Sequence, residues 1–435
     1  MVLIAIIILR DYTQRRLGIR MTSQLLILGN GFDLQCGLKS SYKDFFRQAI
    51  LYAITERFGL AQMKYGVAGF WENLLYEYYK KYDNDDYKWC DIESIIKNTL
   101  WDMGLGKKNT DGIVKNILDC VNNKCFPNYD STKDSIELFL SKYCFNFFIK
   151  LSPRHKVCSD QEKVRLLIER LLLELNNFER RFCKYIKNNI VNQKNGEEIN
   201  EGYIINAVNL LAKLTGFSNN VFKSINNIIR EERRYYEEEH QRATVAGFKN
   251  INVLKEEFTK VKNIHILSFN YTALFDILGV PSPWVYSNVH GKLCNELCSE
   301  NCLSSSIIFG IDDKLIQSQS EYNDLRVFSK TYRKMFNTSS PESVLPNNDE
   351  TVDIKFYGHS LSEADYSYFQ SIFDYYNLYG NSSVSLYFYY SENYDPTDAV
   401  YRLINEYGKT LTNKDQGKNL MHKLLLENRI NIQKI

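Results

Sequence analysis

Proline is scarce in this 435-residue chain, at seven residues, and charge of one sign is not in excess: 54 basic side chains face 52 acidic ones. Few proline breaks beside 31 tyrosines and 25 phenylalanines exclude a disordered, solvating polypeptide. The balanced charge argues against a dedicated nucleic-acid surface, which shows as a basic excess or stripe. Ten cysteines are scattered without a compact framework, which suits reduced cytoplasmic thiols rather than a disulfide scaffold. No apolar run approaches the roughly 20 residues that span a bilayer. The longest opening stretch, Met1 to Leu9, is followed by Arg10, Arg15, Arg16 and Arg20, the reverse of a secretory leader. Residues 1–20 therefore read as a misassigned or disordered extension, with the functional chain starting near Met21. The rival reading is a short membrane-surface anchor.

What is present divides into two kinds of pattern. Gln24 to Leu28 is a short apolar run that ends at Gly29-Asn30-Gly31, bounded as a buried parallel strand is. Ser41-Tyr42-Lys43-Asp44 then matches a capping box and opens a helix. From about residue 60 to 255 the apolar spacing is helical, with stripes at Phe70, Trp71, Leu74, Leu75 and Tyr78 and again from Val164 to Tyr185. The charge run Arg230 to Arg242 reads as a solvated helix face. Beyond residue 260 strands return: Ile264 to Phe269, Val285 to Val289, Ile307 to Phe309, Ile354 to Tyr357 and Val384 to Tyr390, with a helix over Ala364 to Tyr375. Strands alternating with helices predict an α/β, Rossmann-like parallel sheet. Residues 21–60 and 256–435 would form the nucleotide-binding core, and residues 61–255 a helical insert.

Candidate chemistry collects at predicted strand ends, where open α/β sheets bind ligands. Gly29, Asn30 and Gly31 form a turn where absent side chains would let a pyrophosphate reach backbone N–H groups, with a following helix start adding positive charge. Equally, the turn could be a plain strand-to-helix connection. Asp33 could hold a ribose hydroxyl or cap local backbone. Asn270, in Ser268-Phe269-Asn270-Tyr271-Thr272, and His290, before Gly291, end two further strands. An imidazole takes a proton near neutral pH, and a neutral amide can hold a sugar hydroxyl or a water. Gly358-His359-Ser360 is a second turn of the same type, either binding the adenosine end of a nucleotide or simply capping a helix. His359 could also be a second acid or base. Asp91 and Glu93 could line a cleft between the helical part and the sheet, but are better explained by a helix N-terminus that favours acidic residues. Cys294, Cys298 and Cys302 lack the paired spacing of a zinc site, so no metal is expected.

The ordered set LLILGNGFDL, GLKSSYKDFF, WCDIE, SFNYT, VHG, IIFGIDD, FSKTYRKM and FYGHSLSEAD resembles the bacteriophage abortive infection AbiH family. That family is distantly similar to the sirtuin-like NAD-binding fold. Gly29 and Gly31 match the sirtuin glycine turn, and Gly37-Leu38 and Asp44-Phe45 echo the element after it. The resemblance implies that Asn270 positions the nicotinamide ribose or the attacking water and that His290 is the general base. Gly29, Asn30, Gly31, Asp33, Thr272, Gly291, Gly358 and Ser360 would then bind the cofactor. Thr272 stands where sirtuins carry an aspartate, and the four-cysteine zinc module is absent, which points away from deacylation. The implied activity is cleavage of NAD by a cytoplasmic antiphage effector. A phage-derived trigger and a homo-oligomer are the other expected partners. Two rivals stay open: a nucleotide sensor without turnover, with NAD as ligand only, and a metal-dependent nuclease using Asp33, Asp91 or Glu93.

Overall fold

The computed structural model describes residues 22–51, 68–82, 91–105, 112–127, 134–151, 159–192, 198–199, 201–216, 263–272, 274, 284–291, 307–313, 316, 323–335, 343–391 and 394–435. The extension before Thr22, the Arg230 to Arg242 run and the three spaced cysteines lie outside these residues.

In chain order, β1 (Thr22–Leu28) leads to α1 (Asn30–Gln35) and α2 (Tyr42–Phe45), which a π-turn over Phe46–Leu51 continues. A helical stretch follows: α3 (Phe70–Tyr82), α4 (Ile92–Asp102), α5 (Ile113–Asn122), α6 (Ser135–Leu151) and α7 (Asp160–Ile190). A small antiparallel pair, β2 (Val191–Asn192) and β3 (Glu198–Ile199), precedes α8 (Glu201–Thr215). The chain returns to β4 (Ile264–Ser268), β5 (Val285–Asn288), a 3₁₀ turn (Asn323–Phe328) and α9 (Lys330–Lys334). It ends with β6 (Thr351–Tyr357), a 3₁₀ turn (Glu363–Asp365), α10 (Tyr366–Tyr375), β7 (Val384–Tyr390), α11 (Thr397–Thr410), α12 (Lys414–Leu426) and β8 (Ile430–Lys434).

Six strands form one parallel sheet in the order β5-β4-β1-β6-β7-β8. Counted along the chain without the small pair, this is 3-2-1-4-5-6, the doubly wound order whose switch point lies beside the first strand. β1 pairs with β4 and β6, Gln24 lying opposite both Ile264 and Asp353. The sheet thus joins sequence-distant segments, as the pattern predicted. Alternate residues of β1 serve opposite cores: Leu26 and Leu28 pack with the helical stretch, Leu25 and Ile27 with α10, α11 and α12. Burial on both faces explains why the strand reads as an unbroken apolar run. The predicted helical stripes are buried too: Trp71, Leu74, Leu171 and Phe182 are in the core. Among the described residues no helix is long and apolar enough to cross a membrane.

Two expectations change. Ile307 to Phe309 is not a sheet strand. Its backbone is satisfied elsewhere: Ile308 N–H donates to the His290 carbonyl (2.9 Å), Phe309 N–H to Glu179 Oε1 (2.7 Å), and Arg333 donates to the Phe309 carbonyl (2.7 Å). A segment so bonded gains nothing from a strand partner. β8, in contrast, gives little sequence signal because three of its five residues are exposed on the sheet edge.

The glycines also have a different reason from the one their spacing suggested. Gly29 N–H donates to the Tyr357 carbonyl (2.9 Å) and Gly31 N–H to the Gly358 carbonyl (2.8 Å), while Phe32 N–H returns to Gly29 (2.9 Å). These groups are taken by protein rather than left for a phosphate. What demands glycine is contact between two turns: a Cβ on Gly31 would stand 2.7 Å from Gly358 Cα, and one on Gly358 would stand 2.4 Å from Phe32 N. Gly358 also has φ +69°, a left-handed conformation costly for other residues.

Gly358→Ala is accordingly expected to cost about 2–5 kcal/mol, combining left-handed strain with overpacking. Gly37 shares the left-handed conformation (φ +90°) but has open space around it, so Gly37→Ala should cost only about 1–2 kcal/mol. Denaturant midpoints of the two variants measure the difference. Equal losses would mean the turns do not press on each other.

Candidate active site

The carboxyl ends of β1, β4, β5 and β6 open on a cleft of about 460 Å³. Asn30, Gly31, His290, Gly358 and Ser360 line it, together with Ser40, Tyr42, Phe269, Tyr271 and His359. Asp91, Glu93 and Asp365 complete its wall on the acidic side. Three of the predicted elements, the two glycine turns and the histidine after β5, thus meet.

Asn270 does not reach the wall. It is 3% exposed, between Phe269 and Tyr271, and its Oδ1 is buried without a hydrogen-bond partner among the described residues. Its carbonyl accepts from Asn288 Nδ2 (2.8 Å), which also reaches the Thr272 carbonyl at 3.2 Å. The β4 loop is thereby tied to the end of β5. Lys334 Nζ fastens that same end by donating to the Asn288 and Val289 carbonyls, both at 2.8 Å. Burial lowers this ammonium to about 8. Gly291 takes φ +79° and is absent from the cleft wall; turning the chain is its visible task. Gly29 is likewise off the wall.

Asp33 and Thr272 are engaged with each other. The Asp33 carboxylate, 1% exposed, accepts from Thr272 Oγ1 and from the Tyr203 hydroxyl, both at 2.7 Å. This buried knot pins the β1 turn to α8 and to the β4 loop, and neither residue lines the cleft. Burial pushes the Asp33 carboxyl up to about 6, against the lowering effect of the two hydroxyls.

The charged centre was not legible as a set. Lys330, at the start of α9 and 2% exposed, donates to Asp365 Oδ1 (2.8 Å), Glu93 Oε1 (2.6 Å) and the Ala364 carbonyl (3.2 Å). Asp365 also meets both histidines: His290 Nε2 lies 2.9 Å from Oδ1 and His359 Nε2 lies 3.3 Å from Oδ2. The His290 nitrogen is close but not aligned, so it makes no directed hydrogen bond among the described residues. The His359 tautomer is fixed by Leu361 N–H, which donates to Nδ1 (2.9 Å) and leaves the hydrogen on Nε2 facing Asp365. Phe269 packs edge-on against both imidazoles, with centroids 5.4 Å and 4.6 Å away.

Burial and charge set the protonation states. Burial lowers His290 to about 4; Lys330 adds to the effect and Asp365 opposes it. The imidazole is therefore neutral at physiological pH. Burial acts to lower Lys330 as well, but Asp365 and Glu93 outweigh it and keep the ammonium charged. Burial would raise Asp365, yet Lys330 and His290 hold it well below the usual carboxylate range. Glu93 has only Lys330 in its favour: burial, reinforced by Asp365, pushes it up to about 8. One site thus holds an ammonium, a firm carboxylate, a mostly protonated carboxyl and a neutral imidazole.

Local structure brings these groups in. Asp91 caps α4 by accepting from Ser94 N–H (3.1 Å), which is the role its sequence position suggested. Glu93, one residue into the helix, instead turns to the cleft. Ser329 caps α9 by accepting from Tyr332 N–H (3.1 Å). The helix is held by Arg333, whose guanidinium forks onto Glu179 of α7 at 2.6 Å and 2.7 Å, a bidentate geometry that fixes orientation. Asp312 accepts from Ser367 Oγ (2.6 Å) and N–H (3.1 Å), anchoring the start of α10 beside Asp365.

Asp33→Asn separates the buried knot from the cleft. Because the folded value of Asp33 is raised from 3.8 to about 6, its stabilisation is complete below 3.8 and lost as pH rises through about 6. The variant should lack that loss in melting temperature across this window. Identical pH dependence in parent and variant would refute the titration.

No curated protein and no solved structure matches the chain. A family model described as bacteriophage abortive infection AbiH matches residues 25–390, a span that includes both glycine turns, Glu93, His290, Lys330 and Asp365. The chain belongs to the bacteriophage abortive infection AbiH family, and its function lies in abortive infection by phage.

Proposed function

We propose that the protein acts in abortive infection by hydrolysing NAD at the nicotinamide–ribose bond. The observation that carries this reading is a buried, neutral His290 facing Asp365, on the wall of a 460 Å³ cleft at the switch point of a 3-2-1-4-5-6 sheet. A switch point of this order is where dinucleotides bind, and a neutral imidazole is the form that accepts a proton.

The chemistry asks little of the protein. The C1′–N1 bond breaks with its electron pair leaving on nicotinamide, which becomes neutral and needs no proton. The ribose passes through an oxocarbenium-like state, and water attacks C1′ while His290 takes its proton. The products are nicotinamide, ADP-ribose and a proton. Asp365 Oδ1 lies 2.9 Å from Nε2, so that nitrogen carries the imidazole hydrogen, Nδ1 accepts the proton, and Asp365 stabilises the imidazolium as it forms. Since the leaving group requires no acid, the useful form of Glu93 is the anion, which offsets the developing cation. Asn270, with its buried Oδ1, serves as a positioning residue behind Phe269 and Tyr271. Exhausting NAD in an infected cell would halt phage replication along with the host.

His290→Ala should lower NAD consumption about 10²–10⁴-fold, the usual contribution of a general base, and should abolish protection from phage in a variant that is still folded by circular dichroism, with a lowered melting temperature. If the folded parent leaves NAD intact, or the variant matches it, the reading is wrong.

The rate should be flat from pH 5 to 7, because His290 is already neutral above about 4. It should then rise through about 8 as Glu93 ionises, a step that Glu93→Gln removes. An inflection near the ordinary histidine value of 6.5 would instead mean that His290 is solvated rather than buried.

A further inference from the structure

Two free cysteines meet at the end of α5: Cys120 is half-buried and Cys125 exposed. The helix closes there on a Schellman turn. Cys125 N–H donates to the Cys120 carbonyl (2.9 Å) and Lys124 N–H to the Val121 carbonyl (3.2 Å), with Lys124 in the left-handed conformation at φ +54°. This motif brings together the side chain third from the helix end and the one two residues past the C-cap. An apolar contact usually fills those two places; here both are thiols. Cys125 Sγ donates to the Cys120 carbonyl at 3.5 Å, and the Cys120 thiol is hydrogen-bonded to that of Cys125.

The turn is anchored on both sides. Asn122 donates to the Asp160 carboxylate (3.1 Å) and accepts from Lys163 Nζ (3.0 Å), which fastens the end of α5 to the start of α7. Phe126, next to Cys125, packs on Phe145 of α6 with ring centroids 5.8 Å apart. Thiols already in contact on such a turn can close to the roughly 2.05 Å of a disulfide with little movement of the backbone. Cys36 and Cys144 differ: they are 1% and 0% exposed, and burial pushes both thiols up, which makes them inert.

We infer that Cys120 and Cys125 form a redox modification site, closing to an internal disulfide by exchange with a low-molecular-weight disulfide such as oxidised glutathione. The exposed Cys125 thiolate attacks one sulfur of the oxidant, whose S–S bond breaks and releases one thiol. Cys120 then gives up its proton and attacks the Cys125 sulfur, expelling the second thiol. Two protein thiols lose two electrons and two protons, and the oxidant is reduced to two small thiols. Desolvation, the bond to Cys125 and the Asp119 carboxylate push the Cys120 thiol up. That suits it to the resolving step, where its target is already in contact, rather than to the first attack. An exposed bridge of this kind is labile, so excess thiol reopens it. Neither cysteine lines the charged cleft, and the site does not depend on the NAD reading.

Full-length protein is incubated with excess oxidised glutathione, alkylated, and digested with trypsin without reduction. Trypsin cuts after Lys124, between the two cysteines, so an internal bridge joins two peptides into a species lighter than their sum by a pair of hydrogens. The parent should give this species, retain no glutathione, and return to separate peptides with dithiothreitol. Cys120→Ser, folded by circular dichroism, should stop at the mixed disulfide on Cys125. Cys125→Ser should load Cys120 about tenfold more slowly. A bridge from Cys125 to any other cysteine, glutathione retained on the parent's Cys125, or both thiols of the folded parent still open to alkylation overturns the inference. Equal loading rates in the two variants overturn the order of attack.

Discussion

A single buried ammonium organises the site. Lys330 contacts Glu93 from α4 and Asp365 from the turn before α10, so three segments remote in the chain converge on one charge. Burying an ion costs several kcal/mol, and removing one partner of a buried pair leaves the other uncompensated, at about 3–5 kcal/mol. The position of Lys330 is therefore as constrained as that of any core residue. Its supports are correspondingly heavy: a bidentate Arg333–Glu179 pair fixes α9 to α7, and Ser329 caps the helix.

The same ammonium decides what its neighbours can do. It holds Asp365 as an anion and shares with burial the task of keeping His290 neutral. Two carboxylates around one lysine cannot both be fully compensated, and Glu93, the less favourably placed, stays largely protonated. Placing titratable groups in environments that drive their pKa values apart is how a protein obtains an acid, a base and a fixed charge within one cleft. The helical stretch contributes directly to this chemistry, since it supplies Glu93 and the Glu179 anchor rather than only a cover.

A second constraint is geometric. The turn after β1 and the turn after β6 touch through glycine backbone, with Gly31 N–H bonded to the Gly358 carbonyl. Here the glycine-rich turn is a packing joint, with the Gly29, Gly31 and Phe32 N–H groups bonded to protein carbonyls. Asp33 and Thr272 were likewise absorbed into a buried knot with Tyr203, a residue on α8 whose arrival no local pattern announced.

The sequence by itself determined the elements whose cause is local. Unbroken apolar runs marked β1, β4 and β6, helical stripes marked α3 and α7, and the Ser41 cap and the two glycine turns stood in plain letters. Family membership was legible from the ordered motifs, and His290 from its place at a strand end. Tertiary structure alone decided strand order, the fate of Ile307 to Phe309, and the union of Glu93, Lys330, Asp365 and His359 with His290. The reason is that hydrophobic periodicity reports how one segment meets an average interior, whereas a buried charge is permitted only by partners that arrive from elsewhere in the chain. Lys330 looks like any surface lysine until Asp365 and Glu93 are brought to it.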